Sequence, residues 1–542
     1  MGRTPLFDML QRSARIANAS LHDAEPLDAF YEHGKTLQRE ARRTDPSRRR
    51  FLQAAGAGLV LAGCASVPKP LAPAGDDVVV VGAGIAGLTA AWRLRQAGVR
   101  VRVFEAQNRI GGRMFSLRNH FPDGQVIELG GELIDSNHVR IRALAAELGL
   151  PLDDLLAGDT AQDTWFFDGR NIGEREIVTA FAPVAAAIQR DLALLGDEAL
   201  TYRAASPQTH AQAQALDALS VAQWLDRNGV SGWLRKLIDV AYTTEMGLEI
   251  DQQSALNLLT FIGSEDKDAF KVFGESDERS HVRGGNDLIV HELARKLGDA
   301  LETGSVLEAV DGDAGGYALS FRRDRATRTV RARHVVLALP FTLLRKVRIG
   351  VALPEVKRRA LDGLAYGTNA KLMIGYDKRV WREHAANGAS MSDLPYQTTW
   401  ETTRKQPGNG GVLTNFTGGR HGVALGEGTP KEQADAATAS LDKVFPGLAA
   451  ARAGMREARF HWPTHPWTLG SYACFGPGDW TGFRGAIGES VGGLHFAGEH
   501  CALDTQGFME GGCESGETAA AAVRTAFGIA SVRPIGLRKR AA

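Results

Sequence analysis

The stretch VVVVGAGIAGLTAAWRLRQAGVRVRVFEA, from Val78 to Ala106, constrains the fold of this chain more than any other. A short valine run of strand type leads into three glycines, and a segment of helical composition then runs from Ala86 to Ala97 and ends at Gly98. A second strand-like run follows, and Glu105 stands directly after it. The order strand, glycines, helix, strand and acid predicts an α/β fold with a βαβ unit that binds a dinucleotide.

The glycines Gly82, Gly84 and Gly87 each meet a different requirement of such a site. The first permits a tight turn, the second lets a phosphate approach the backbone, and the third lets the helix pack closely on the strand. The helix N-terminus then offers N–H groups to a pyrophosphate. Glu105, about 23 residues after the first glycine, suits a ribose with free hydroxyls. FAD and NAD can both use this site, and a glycine-rich turn in an ordinary βαβ unit is the alternative.

Composition narrows the class of protein only a little. The chain has 542 residues, far more than one domain usually holds, so two domains are expected. A net charge of 0 gives no support to nucleic-acid binding. Four cysteines do not make a disulfide framework at this length, and no spacing of Cys and His suggests a metal ion. The sequence predicts no particular oligomeric state.

The segment before the βαβ unit resembles a bacterial export signal. Arginines at 48–50 precede Phe-Leu and an apolar run of roughly 13 residues, too short for a bilayer, which needs about 20. We expect residues 1–63 to be a twin-arginine signal with a long n-region, Cys64 to carry a lipid anchor, and residues 64–75 to be a linker. The protein is then exported and anchored at the periplasmic face of a bacterial membrane, with a basic tail at 529–542. A chance apolar helix with basic flanks is the alternative.

Beyond Glu105, the string NRIGGRMFSLR places Gly112 and Arg113 where a loop carrying a cation would pass close to a pyrophosphate or a flavin. With the preceding Glu-Ala, this string resembles the flavin amine oxidase family, which includes monoamine, polyamine and L-amino-acid oxidases. The resemblance extends from about residue 76 to 525 through ELGGELID (128–135), HVRGGNDLIVHELARKLG (281–298), GSVLEAV (304–310), ARHVVLALPFTLLRKV (332–347), GTNAKLMIGY (367–376), HPWTLGSYACFGPG (465–478) and LHFAGEHCALDTQGFMEGGCESGETAAAAV (494–523). It implies a Rossmann-like FAD-binding domain of the glutathione-reductase type, interleaved with an α+β substrate domain.

The resemblance also implies which residues contact FAD. They are Gly82, Gly84, Ala86, Gly87, Glu105, Ala106, Gly112, Arg113, Gly130, Gly131, Glu132, Val306, Glu499, Phe508 and Met509. Val306 is expected at the adenine, Glu499 at the ribityl hydroxyls, and the N-terminus of a helix ending near Val523 at the flavin C2 carbonyl. The FAD domain is expected to comprise residues 76–136, 281–346 and 489–528, and the substrate domain residues 137–280 and 347–488.

The family holds its substrate amine between two aromatic rings, and the matching positions here are Tyr472 and Phe508. Trp462 and Trp467 are expected to extend this cage, with core packing as the alternative for any one ring. Lys371 matches a lysine that holds a water at flavin N5 in relatives; a lysine at the edge of a sheet is the alternative. Because Ser471 stands where some relatives carry a cysteine bonded to the flavin, we expect noncovalent FAD.

The resemblance implies an FAD-dependent amine oxidase that oxidises an amine or an L-amino acid and reduces dioxygen to hydrogen peroxide. No arginine follows the ELGG segment to bind a carboxylate, and Glu132 and Asp135 stand there instead. A basic amino acid or a diamine would fit two acids, unless they cap a helix beginning near Ser136. A dehydrogenase or polyamine oxidase with another acceptor, a nicotinamide-dependent dehydrogenase and a non-catalytic flavin-binding lipoprotein remain alternatives.

Overall fold

The computed structural model describes residues 76–195, 200–203, 206–262, 277–313, 315–452 and 454–529. The predicted export signal, the predicted anchor Cys64 and the linker lie outside these residues, as does all of the basic tail except its first residue. In the part of the chain that is described, no helix is both long enough and apolar enough to cross a bilayer.

Within the described ranges the chain forms 21 strands and 15 α-helices. The strands are β1 (Asp76–Val81), β2 (Val101–Phe104), β3 (Ser116–Leu117), β4 (Ile127–Glu128), β5 (Leu152–Asp154), β6 (Gln162–Phe167), β7 (Arg170–Asn171), β8 (Ser280–Val282), β9 (Leu301–Glu302), β10 (Val306–Asp313), β11 (Gly316–Arg323), β12 (Ala326–Leu337), β13 (Arg348–Ile349), β14 (Ala365–Tyr366), β15 (Ala370–Tyr376), β16 (Ala386–Ser392), β17 (Thr398–Glu401), β18 (Gly411–Thr417), β19 (Glu457–His461), β20 (Ala473–Cys474) and β21 (Leu494–Phe496). The α-helices are α1 (Ile85–Gln96), α2 (Val139–Glu147), α3 (Glu174–Leu192), α4 (Pro207–Asp217), α5 (Val221–Arg227), α6 (Gly232–Met246), α7 (Ala255–Ile262), α8 (Leu288–Leu297), α9 (Phe341–Leu344), α10 (Glu355–Gly363), α11 (Val380–Glu383), α12 (Gly419–Ala424), α13 (Pro430–Leu441), α14 (Asp479–Gly482) and α15 (Met509–Ala526).

The first sheet has eight strands and contains the predicted βαβ unit. Its order is β13-β10-β11-β12-β1-β2-β9, and β21 also pairs with β12. Strand β1 is parallel to β2 and to β12, and the side chains of Val78–Val80 are fully buried. Helix α1 and the strands around it lie within two residues of where the sequence predicts them, and the predicted α/β fold is confirmed.

Helix α15 packs closely against helix α1. A Cβ atom on Gly516 would lie 2.4 Å from the carbonyl oxygen of Ala86, and one on Gly512 would lie 2.6 Å from Ile85 Cγ2. Only glycine fits at such a distance. The two helices therefore begin beside each other, although the sequence places them at opposite ends of the chain.

The second sheet has seven strands in the order β19-β15-β18-β17-β16-β6-β7. Every residue of β15, β16, β17 and β18 is buried. Strands β6 and β7 come from the first segment of the predicted substrate domain, residues 137–280, where helices α2–α7 also lie. The division of the chain at 136, 280, 346 and 488 stays a prediction.

Candidate active site

The glycine-rich turn after β1 forms an open cradle. Gly82 has a left-handed φ of +102°, and a Cβ on Gly87 would lie 2.0 Å from the Gly82 carbonyl oxygen, so the turn and the helix both need glycine. A Cβ on Gly84 would meet only the Cα of Gly112, at 4.0 Å, within the described residues. Helix α1 begins at this opening with no side-chain cap. The opening therefore suits a pyrophosphate, which would accept from the free amides of the first turn.

Glu105 closes one side of this cradle. Its Oε2 accepts a hydrogen bond from the Ala83 amide at 2.8 Å and its Oε1 accepts from the Gln107 amide at 2.9 Å. Burial raises the pKa of the Glu105 carboxyl, while these amides oppose the shift. The Ser305 amide donates to the Glu105 carbonyl at 2.8 Å, which brings the half-buried Val306 beside the acid. Ala106, also half-buried, follows the acid directly.

Arg113 and Glu499 join three distant segments. Arg113 Nη1 donates to Glu499 Oε1 at 2.7 Å and to the Ser471 carbonyl at 2.8 Å. Glu499 Oε2 accepts from the Gly507 amide at 3.0 Å, just before α15 begins at Met509. The N-terminal turn, the 471–472 segment and the C-terminal motif are thus held together by one ion pair.

The backbone of residues 128–132 is fixed by side chains that come from three other elements. Lys371 Nζ donates to the carbonyls of Glu128 and Gly130, at 3.2 and 2.8 Å. Trp462 Nε1 donates to the Leu129 carbonyl at 3.0 Å. Asn286 Nδ2 donates to the next two carbonyls, Gly131 at 3.1 Å and Glu132 at 2.6 Å. All five successive carbonyls are therefore bound, which holds this loop rigidly beside Arg113.

Lys371 is buried and paired. Its Nζ lies 2.7 Å from Glu132 Oε2, and both side chains are at most 3% exposed. Trp400 Nε1 donates to the other carboxylate oxygen of Glu132 at 2.7 Å. Burial alone would raise the pKa of Glu132, but the Lys371 ammonium and the Trp400 indole hold it below its ordinary value.

These contacts describe the surroundings of Lys371. A lysine ammonium has three donors, and here Glu128, Gly130 and Glu132 accept all three. The water-holding role implied by the resemblance stays a prediction, and it would require Nζ to share or give up one of these three contacts. The alternative of a lysine at a sheet edge is wrong, since β15 is flanked by β18 and β19.

Tyr472 is held as a buried ring next to the start of α15. Its hydroxyl donates to the Thr244 carbonyl at 3.0 Å, and its ring packs in a cluster with Trp400 and Phe416. Burial, followed by the charge of Glu245, raises the pKa of the phenol well above its ordinary value, so it stays neutral. A Cβ on Gly507 would lie 3.8 Å from the Tyr472 ring, which brings Phe508 into the same region.

Asp135 does not cap a helix. Helix α2 begins at Val139, and Glu510 on α15 accepts from the amides of Arg140 and Ile141 instead. The predicted helix start near Ser136 is therefore wrong. Both Asp135 oxygens are engaged, Oδ1 by the Glu278 amide at 2.8 Å and Oδ2 by His138 Nε2 at 3.3 Å.

The two predicted tryptophans differ in place. Trp462 is fully buried against the 128–132 loop, and a Cβ on Gly130 would lie 3.1 Å from its ring. Because the Trp462 side chain has no exposed surface, it supports the 128–132 loop and does not form the substrate contact that was expected. Trp467 is half-buried and its substrate role stays a prediction.

Three residues of the site were not among the predicted site residues. Asn286 binds two carbonyls of the loop, Trp400 binds Glu132, and the His138 ring lies 5.0 Å from the Phe508 ring in an edge-to-face contact. Asn286 lies in the segment 281–298 that resembles the family, whereas Trp400 and His138 lie in none of the matched segments and act across a long separation in the chain. In the described ranges no group of three or more His, Cys, Asp or Glu side chains could hold a metal ion.

A glycine cradle with a buried acid, an Arg–Glu pair across the fold and a second helix N-terminus define a dinucleotide-binding protein whose site fits FAD. The chain matches the family model of flavin containing amine oxidoreductases over residues 85–524 and belongs to that family. It is an oxidoreductase that acts on CH–NH2 or CH–NH groups, and FAD fits the cradle described above.

Two curated relatives and one solved structure illustrate the similarity. An L-amino acid dehydrogenase of Synechocystis sp. (strain ATCC 27184 / PCC 6803 / Kazusa) is 27% identical over 472 residues, covering 82% of this chain and 94% of the relative. Flavin-containing amine oxidase A of Sus scrofa is 25% identical, covering 85% of this chain and 88% of the relative. Cyclohexylamine oxidase from Brevibacterium oxydans IH-35A superposes with a TM-score of 0.73 at 26% identity, over 84% of this chain and 100% of its own. The amine oxidase fold predicted from the sequence is confirmed.

Proposed function

We propose that this protein oxidises an amine or an L-amino acid at the carbon next to nitrogen and passes the electrons to dioxygen. The observation that carries the proposal is the buried, neutral Tyr472, placed beside Gly507 and the start of α15. A neutral aromatic wall beside the flavin motif suits an uncharged amine group. Loss of two hydrogens turns the amine into an imine, and dioxygen takes up both hydrogens as hydrogen peroxide. Water then hydrolyses the imine to a carbonyl compound and ammonia.

Each residue group has its own task in this proposal. FAD, when bound, supplies the two-electron acceptor. Gly84, Glu105 and Arg113 hold the cofactor, and Tyr472 with Phe508 orients the amine and excludes water. The carboxylates of Glu132 and Asp135 are both engaged by cations or amides. This makes them less suited to bind the second ammonium group of a diamine substrate.

The test is an anaerobic screen of the FAD-loaded protein against monoamines, diamines and amino acids. We expect one class to bleach the flavin absorbance, and air to restore the colour with one hydrogen peroxide per turnover. Failure of every amine and amino acid to bleach the flavin would contradict the proposal and favour the non-catalytic flavin-binding lipoprotein.

A dehydrogenase is the second candidate, because the Synechocystis relative is named an L-amino acid dehydrogenase. It predicts that amino acids bleach the flavin but that air restores the colour slowly. A quinone or a dye would then restore it within the turnover time. Reoxidation by air at the rate of turnover would exclude this candidate.

We propose that FAD is bound noncovalently. The buried Ser471 hydroxyl donates to Asn369 Oδ1 at 2.7 Å, and a serine cannot form a thioether with the flavin. Acid precipitation should leave the yellow colour in the supernatant. Colour retained by the washed pellet would contradict this proposal.

We propose that the protein is exported by the twin-arginine route and anchored through Cys64, on the pattern of residues 48–64. Replacing the three arginines at 48–50 by lysine should leave the protein in the cytoplasm. Cys64→Ser should allow export but release the protein from the membrane fraction. Unchanged fractionation of both variants would reject the signal and the anchor.

A further inference from the structure

We propose that Glu132 is a positioning residue that cancels the charge of Lys371 and so lowers the reduction potential of the bound FAD. The bound cofactor, and not the substrate, would sense this charge, so the test needs no amine. The geometry of the pair, the absence of another acid at Lys371 among the described residues and the place of the pair in the site support this role.

Lys371 and Glu132 place one positive charge beside one negative charge, and both side chains are buried from water. Lys371 Nζ and Glu132 Oε2 lie 2.7 Å apart, with side chains 1% and 3% exposed. Trp400 fixes the second oxygen of Glu132 at 2.7 Å, and the Trp400 ring centroid lies 5.2 Å from Lys371 Nζ. A carboxylate with a cation on one oxygen and an indole on the other has little freedom to turn away.

The acid nearest in sequence does not share this task. Glu128 offers Lys371 only its backbone carbonyl, at 3.2 Å. Its carboxylate accepts instead from the Ser116 hydroxyl at 2.8 Å, the Asn286 amide at 2.8 Å and His281 Nε2 at 2.9 Å. Among the described residues, Glu132 is therefore the counter-ion of Lys371.

The pair lies next to the cofactor cradle. The Gly131 amide donates to the Arg113 carbonyl at 3.0 Å, and a Cβ on Gly130 would lie 1.9 Å from that same oxygen. Arg113 directly follows Gly112, which faces Gly84 across the opening. A net charge at this buried place is poorly screened by water. It would act on the flavin of bound FAD, which gains negative charge when it is reduced.

The test is the midpoint potential of the FAD-loaded protein, measured by anaerobic titration against a reference dye. Glu132→Gln keeps the shape and one acceptor but leaves the Lys371 charge without its counter-ion. We expect the equilibrium constant for reduction to rise at least tenfold, which for a two-electron couple is about 30 mV. Glu132→Asp, which keeps the charge, should stay within about threefold of the wild type.

The double variant Glu132→Gln with Lys371→Met carries no net charge at this place, so its potential should return close to that of the wild type. If Glu132→Gln fails to fold or to hold FAD, the double variant decides the matter. The proposal then requires the double variant to recover FAD, because it contains no unpaired charge, and failure to recover would overturn the proposal.

The chain offers a control in Glu401 on β17, the strand that carries Trp400. Glu401 is also buried, and its carboxylate pairs with Arg379 at 2.7 Å and with Arg382 at 3.3 Å and accepts from the Trp381 indole at 2.9 Å. It follows Trp400 directly and so faces the opposite side of β17. Glu401→Gln should leave the potential unchanged. An equal shift in Glu401→Gln, or no rise in Glu132→Gln, would overturn the proposal.

Discussion

Glu510 accepts a hydrogen bond from the backbone amide of Ile141 at 2.8 Å, across 369 residues of sequence. The same carboxylate accepts from the Arg140 amide at 3.0 and 3.1 Å. The first amides of a helix lack partners within the helix, and here they belong to α2. A side chain from α15 thus supplies the cap that the residues before α2 do not, and it fixes the starts of both helices at one place.

Glu510→Ala should destabilise the protein by about 1–2 kcal/mol, because the first turn of α2 loses its cap. The measurement is urea unfolding of the wild type and the variant. Glu510→Gln keeps an acceptor and should lose less. If the two variants lose the same free energy, the cap is not what Glu510 contributes.

Gly516→Ala should separate α1 from α15, because its Cβ would lie 2.4 Å from a backbone oxygen. We expect the thermal midpoint to fall and the FAD affinity to drop at least tenfold. Gly482→Ala is the control, since a Cβ on Gly482 meets nothing within 4 Å. Similar losses from both substitutions would show that the close contact between the helices is unimportant.

Lys371→Met leaves a buried carboxylate without its cation. Breaking a buried pair on one side costs about 3–5 kcal/mol, whereas replacing both members is often close to neutral. Unfolding of Lys371→Met, Glu132→Gln and the double variant should therefore be strongly non-additive. Additive losses would mean that the two side chains are stabilised independently.

Tyr472→Phe keeps the ring and removes the hydroxyl that binds the Thr244 carbonyl. We expect a loss of about 1 kcal/mol in stability and a change in kcat/KM of less than tenfold. Tyr472→Ala removes the wall itself and should lower kcat/KM at least a hundredfold. Steady-state kinetics on the best amine separates the two; equal losses would mean that the hydroxyl, and not the ring, carries the effect.

His500 should make the fold sensitive to acid. Burial, with Arg113 and Lys357 nearby, lowers the pKa of His500 to about 4, and Glu499 opposes the shift. Because the folded pKa lies below the ordinary value of about 6.5, the unfolded chain takes up a proton first as the pH falls. Stability present above pH 6.5 is then lost towards pH 4, by an amount on the order of 3 kcal/mol.

The check is the free energy of unfolding at pH 7 and at pH 4.5. His500→Phe keeps the contact with Phe341, whose ring centroid lies 4.7 Å from that of His500. The variant should lose less stability than the wild type between the two pH values. An unchanged difference would exclude His500 as a source of the acid sensitivity.

The local elements could be predicted from the sequence because their signals are local. The valine run, the glycine turn and Gly98 predict β1 and α1 to within two residues, since strand and helix periodicities and caps depend on near neighbours. The helix of the C-terminal motif ends at Ala526, three residues beyond the predicted end. No breaker residue marks that end before Gly528.

The contacts that define the site could not be predicted in the same way. Glu132 and Lys371 are 239 residues apart in sequence, and Glu132 and Trp400 are 268 apart. The spacing of these residues in the sequence does not predict their contacts, because the contacts depend on how β15 and β17 pack against the 128–132 loop. The helix start near Ser136 was mispredicted for the same reason, since the cap comes from Glu510.

The position of β21 in the first sheet sets the order in which a ribosome can complete the cofactor site. β12 pairs with both β1 and β21, and Leu494 emerges 413 residues after Val81. At common rates of synthesis that interval lasts roughly 20–80 s. During this interval Glu499, the partner of Arg113, and the glycines of α15 that pack on α1 have not yet been synthesised. A complete cofactor site therefore requires almost the whole chain to be synthesised, because the partner of Arg113 and the helix packed on α1 both lie after residue 494.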